Sequence, residues 1–145
     1  MKKIFICSFL LLAGMAFAQN QARISPVFPG CSDEVRIDFE KSENCINNQL
    51  SSQIADYLTD FAEKLTEEGI TQAEAVLKYT IDKNGKITDI QISKGSHPEL
   101  GKRAKSALQE ISDQMQKNGK IIQPAELHGT PIDLKMKLPV KFQIQ

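Results

Sequence analysis

The last fourteen residues of the chain alternate without a miss. Apolar side chains stand at Ile132, Leu134, Met136, Leu138, Val140, Phe142 and Ile144. Between them lie Asp133, Lys135, Lys137, Pro139, Lys141, Gln143 and Gln145. A period of two is that of a strand with one dry and one wet face. Proline has no N–H to give to a ladder, so Pro139 predicts a place on a sheet edge or at a bulge. Neighbouring residues of an antiparallel strand aim their main chain at opposite flanks. If Pro139 faces an open flank, so do Lys135, Lys137, Lys141 and Gln143, while the even-numbered residues bond inward. Lysines and a missing donor guard such an edge against random pairing. It remains a template for an incoming extended peptide. Lys135, Lys137, Pro139, Lys141 and Gln143 are therefore the candidate binding edge.

Upstream, Ile46, Leu50, Ile54, Leu58, Phe61 and Leu65 recur at helical spacing. They predict one helix from an Asn44 cap to a Gly69 stop. A hairpin follows, with Ala75, Leu77, Tyr79 and Ile81 on its first strand, an Asn84-Gly85 turn, and Ile90 and Ile92 on its return. Ile87 is out of phase with Ile90 and Ile92, which allows a bulge there. A calcium-loop reading from Asp82 fails: Gly85 comes early, Lys86 stands where an oxygen ligand belongs, and Ser93 replaces the bidentate Glu. Ser96 and Glu99 suit a capping box around Pro98. Leu100, Ala104, Ala107, Leu108, Ile111 and Met115 then form a second apolar helix face, ended by Asn118-Gly119. The order is helix followed by β-β-α-β. A right-handed crossover sets the last strand beside the first and antiparallel to it. The predicted fold is α+β: a three-stranded antiparallel sheet, ordered second-first-last, with both helices on one face.

The start of the chain adds an address. Lys2 and Lys3 precede the apolar run Ile4 to Phe17, and Ala16-Phe17-Ala18 offers a small-x-small cleavage pattern. Residues 1–18 are thus expected to be an export signal, with Cys7 leaving inside it. Residues 19–44 read as irregular, and residues 45–145 as the α+β domain. Of 18 basic and 18 acidic residues, two lysines depart with the signal and leave a net charge of −2. That balance argues against nucleic acid as a partner. Two cysteines remain, Cys31 and Cys45. In an exported chain this even pair is expected to form a disulfide, and no further soft ligand lies near it to suggest a metal. His97 beside a helix start reads as a surface or capping residue, and His128 as a loop residue. No nucleophile-elbow or metal-spaced motif is present, so neither catalysis nor a small-molecule substrate or cofactor is indicated.

Several stretches together resemble the TonB C-terminal domain. They are Val76 to Ile87 across the hairpin, Pro98-Glu99-Leu100 with Ala104, Pro124-Ala125, Gly129 with Pro131, and Leu138-Pro139-Val140-Lys141-Phe142. The lead-in Pro26-Val27-Phe28-Pro29-Gly30-Cys31, with Cys45, resembles that of stand-alone and receptor-linked members of the superfamily. The resemblance implies a periplasmic protein of a Gram-negative bacterium; this chain departs from the family in showing an export signal where an anchoring helix would stand, so it is expected to be secreted without a membrane anchor. It implies as partner an outer-membrane TonB-dependent transporter, or another envelope protein, whose TonB box adds as a strand to the edge around Pro139. The alternative is an envelope scaffold that uses the same edge to form a homodimer.

Overall fold

The computed structural model describes residues 23–144. The expected export signal, its cleavage point after Ala18, and Gln145 lie outside the described residues. The central sheet is built from β2 (Gln72–Ile81), β3 (Ile87–Ile92) and β6 (Leu134–Gln143). Its order is β3-β2-β6, antiparallel throughout, as the alternation and the crossover rule predicted. β2 and β6 pair over their whole lengths, from Gln72 opposite Gln143 to Ile81 opposite Leu134. The register brings Ala73, Ala75, Leu77, Tyr79 and Ile81 to the same face as Met136, Leu138 and Val140, all buried. A slip of one residue would expose this whole set, so the hydrophobic pattern fixes the register.

The hairpin carries a bulge, though not at Ile87. Lys78 pairs with Gln91 and Thr80 with Thr88, so β3 spends one residue more than β2. Asp89 takes up the excess at φ 53°. The bulge turns both Ile87 and Ile90 into the core despite their spacing of three. At the turn, Asp82 Oδ1 accepts from the amides of Asn84 and Lys86. Gly85 has φ 80°, and a Cβ there would collide with the Ile122 carbonyl oxygen.

Both helical layers cover the dry face, and one apolar cluster joins them to the sheet. Helix α3 (Pro98–Lys117) buries Leu100, Ala104, Ala107, Leu108 and Ile111. Its N-cap is His97, whose Nδ1 accepts from the Leu100 amide, rather than Ser96. Ser96 instead uses its hydroxyl oxygen to accept from the Val76 amide at 3.0 Å.

The single helix expected over 44–69 is two: α1 (Phe39–Tyr57) and α2 (Thr59–Glu67). Each four-residue step advances an apolar stripe by about 40° around the axis. Three in succession from Ile46 to Leu58 carry the stripe off the sheet. The break at Leu58 brings Phe61 and Leu65 back over the core, where both are buried. At the break the Thr59 hydroxyl is within 3.5 Å of the Ala55 and Asp56 carbonyls, a side-chain bond that bends helices. Arg103 of α3 stacks over the Phe61 ring at 5.1 Å and ties the two layers together.

The stretch expected to be irregular is partly helical. A 3₁₀ turn covers Asp33–Ile37, and α1 begins at Phe39 under the Asp38 cap, whose carboxylate accepts from the Lys41 amide. Phe39 remains 45% exposed, so the first turn of α1 lacks the apolar stripe that marks the rest. A second small sheet escapes the hydrophobic pattern too: β1 (Arg23–Ile24), β4 (Glu126–Leu127) and β5 (Thr130–Pro131), in the order β1-β4-β5. His128 and Gly129, both at positive φ, make its two-residue hairpin turn. The leading segment is held by the Ser42 hydroxyl donating to the Pro26 carbonyl, by mutual backbone bonds of Val27 with Gln123, and by an Arg36–Glu126 ion pair at 2.6 Å. Cys31 and Cys45 are joined as a disulfide, with Cα atoms 6.2 Å apart, pinning this segment to α1.

Candidate functional site

The direction of each backbone group on β6 follows from its neighbour β2. Val76 donates its N–H to Ser96 and accepts at its carbonyl from Ser93, both in the loop beyond β3. Glu74 likewise accepts from the His97 amide. The even-numbered main chain of β2 therefore faces β3, and the odd-numbered main chain faces β6. Val76 is opposite Pro139, which makes theirs a pair without ladder bonds. The nitrogen and carbonyl of Pro139 point to the outer flank of β6. Lys135, Lys137, Lys141 and Gln143 share that parity, so all five sequence-picked residues present their main chain to one side. Met136, Leu138, Val140 and Phe142 bond inward.

That flank is open but not bare. Asn47, on α1, donates from Nδ2 to the Lys137 carbonyl at 3.0 Å and accepts at Oδ1 from the Tyr79 hydroxyl at 3.4 Å. Burial, and after it the charge of Glu43, pushes the Tyr79 hydroxyl pKa upward, so this group stays protonated and able to donate. The edge is thereby divided. Lys137 keeps an N–H, Pro139 a carbonyl, and Lys141 and Gln143 both groups. The sequence pattern contained no sign of Asn47, which follows Ile46 on the helix as an ordinary flanking polar residue.

Beside the Pro139–Phe142 half of the edge lies an apolar groove of about 480 Å³. Ala55, Leu58, Phe61 and Ala62 form its helical wall, and Val140 and Phe142 its strand wall. The groove lies at the helix break at Leu58, which the apolar spacing did not predict. On the opposite, wet face, Lys137 stands directly across from Lys78, a like-charge pair, whereas Lys141 stands across from Glu74. The lysines of β6 are exposed. His97 and His128 serve the backbone as described and lie on other elements. Among the described residues, no group of three His, Cys, Asp or Glu side chains is placed to hold a metal ion.

Residues 63–144, more than half of the chain, match the family described as Gram-negative bacterial TonB protein C-terminal. The chain belongs to the TonB C-terminal family. This is a family of envelope protein-interaction domains of Gram-negative bacteria, and the match spans the whole central sheet and α3. Helix α1, with Asn47 and the disulfide, precedes the matched span. A search of curated proteins finds no match. One similar solved structure is the NMR solution structure of the Helicobacter pylori TonB C-terminal domain, residues 179–285. It is 17% identical over 91% of this chain and 94% of that chain, with a TM-score of 0.40. At that score no residue is carried from one to the other. Among the described residues, no helix is long and apolar enough to cross a membrane.

Proposed function

We propose that this TonB C-terminal family member is an exported periplasmic binding module. It takes an extended segment of an outer-membrane TonB-dependent transporter, the TonB box of the family, as a fourth strand on the outer flank of β6. The observation that carries this reading is the orientation of that edge. Among the described residues, no other strand pairs with the odd-numbered main chain of this ten-residue strand, which carries a guarding proline. Each ladder bond contributes about 0.5–1.5 kcal/mol, so a few suffice for a weak, reversible complex. The exposed lysines favour acidic segments, by attraction and by relief of the Lys78–Lys137 repulsion.

The same edge would serve a homodimeric scaffold only at a cost. Antiparallel self-pairing centred on Pro139 brings Lys137 of each copy opposite Lys141 of the other, like charges in direct opposition. Chemical-shift mapping with N-terminal peptides of outer-membrane transporters tests the proposal. The expected result is a set of amide shifts on β6, centred on Lys141 and Gln143, that vanishes in Lys141→Pro, a variant that deletes a donor on the open flank alone. Shifts confined to α1, or a dimer that no peptide dissociates, would overturn it.

A further inference from the structure

We infer that the segment taken up on β6 is selected by an apolar side chain that enters the groove under the α1–α2 break, next to Pro139–Gln143. This rests on the strand-addition reading above and adds to it the side-chain pattern of the partner. In an antiparallel ladder, residues directly opposite one another point to the same face. A partner residue opposite Val140 or Phe142 therefore points to the helical side, into the groove between that strand and Leu58 and Phe61. One opposite Lys141 points to the wet face, among lysines. The partner is an extended peptide with the order apolar–acidic–apolar across Phe142, Lys141 and Val140.

Three features of the site single out such a peptide. The main chain of Lys141 and Gln143, unpaired among the described residues, lies along the same half of the edge as the groove, so a ligand that satisfies both is a strand and not a free apolar molecule. Asn47 occupies the Lys137 carbonyl, which disfavours pairing toward Lys135 and concentrates the ladder on the groove half. The lysines of β6 complement carboxylates on the partner's wet side. The groove volume of about 480 Å³ falls in the range of about 300–1,000 Å³ usual for ligand sites. Asn47 lies on α1, and Ala55, Leu58, Phe61 and Ala62 of the helical wall lie on α1, at the break and in the first turn of α2, upstream of the residues matched to the family. The helical side of the groove is therefore supplied mostly by residues upstream of the match, and its strand side by residues within it.

Two synthetic peptides separate this inference from the reading beneath it. One carries isoleucine at both groove-facing positions around a glutamate; the other carries serine in place of both isoleucines. Affinities are measured by titration calorimetry, with amide shifts of β6 as the reporter of edge pairing. The isoleucine peptide is expected to bind at least about tenfold more tightly, the effect of burying one large aliphatic side chain. Ala55→Phe fills the groove from an exposed helix position and should abolish the advantage of the isoleucine peptide over the serine peptide. Ser51→Phe, on the same wall, repeats the test should Ala55→Phe fail to fold. Equal affinities with shifts along β6 would overturn the groove inference and leave strand addition standing. No edge shifts with either peptide would overturn both.

Discussion

Asn47 holds three elements together through one amide: it sits on α1, donates to β6 at Lys137 and accepts from Tyr79 of β2. Replacing it with alanine frees the Lys137 carbonyl to solvent and leaves the buried Tyr79 hydroxyl without this partner. Asn47→Ala should lower stability by about 1–3 kcal/mol, the range for an orphaned buried polar group, read as a shift in the urea midpoint. It should also extend the stretch of β6 that a peptide can pair with toward Lys135, seen as new amide shifts at Lys135 and Lys137 in the complex. An unchanged footprint would mean that the Asn47 bond does not restrain the edge.

The elements differ in what protects them. β2 is covered by a strand on each side, whereas β6 relies on Pro139, its lysines and the Asn47 cap. Pro139→Ala adds an N–H that water satisfies, so folding stability should be nearly unchanged. The restored donor completes the edge, and self-association should increase in analytical ultracentrifugation. A large loss of stability with no change in mass would place Pro139 against structure that the register does not show. Strand content was legible because period-two burial depends on local sequence; β6 follows from residues 132–145, and its edge position from Pro139 together with the crossover that orders the sheet. The break at Leu58 and the cap at Asp38 were not legible. Both depend on where the stripe meets the sheet, which four-residue spacing does not record. The bulge was visible as a phase error at Ile87, but its seat at Asp89 depends on pairing with β2. The two-residue strands of the small sheet are too short to have a period. For the candidate site, the shared flank of the five odd-numbered residues follows from the alternation of β6, whereas Asn47 and the groove depend on how α1 and α2 pack beside the strand.

Across the whole molecule, the Cys31–Cys45 disulfide secures the lead-in to α1, and α1 supplies the Asn47 cap and part of one groove wall. Closing a loop of this length contributes about 3 kcal/mol by restricting the unfolded chain. Cys45→Ser should therefore lower stability by about 2–5 kcal/mol in chemical denaturation, and mild reduction of the native protein should do the same. No change on reduction would show that the bond does not constrain the unfolded chain. The central claim is that one flank of β6 is free to take a strand. Residue-resolved amide hydrogen exchange along β6, with and without an acidic transporter peptide, tests it most directly. In the free protein, Met136, Leu138, Val140 and Phe142 should exchange slowly and Lys135, Lys137, Lys141 and Gln143 rapidly. With peptide bound, Lys141 and Gln143 should become slow while the even-numbered amides stay as they were. Uniform protection in the free protein, or protection gained on α1 with Lys141 and Gln143 unchanged, would contradict the account.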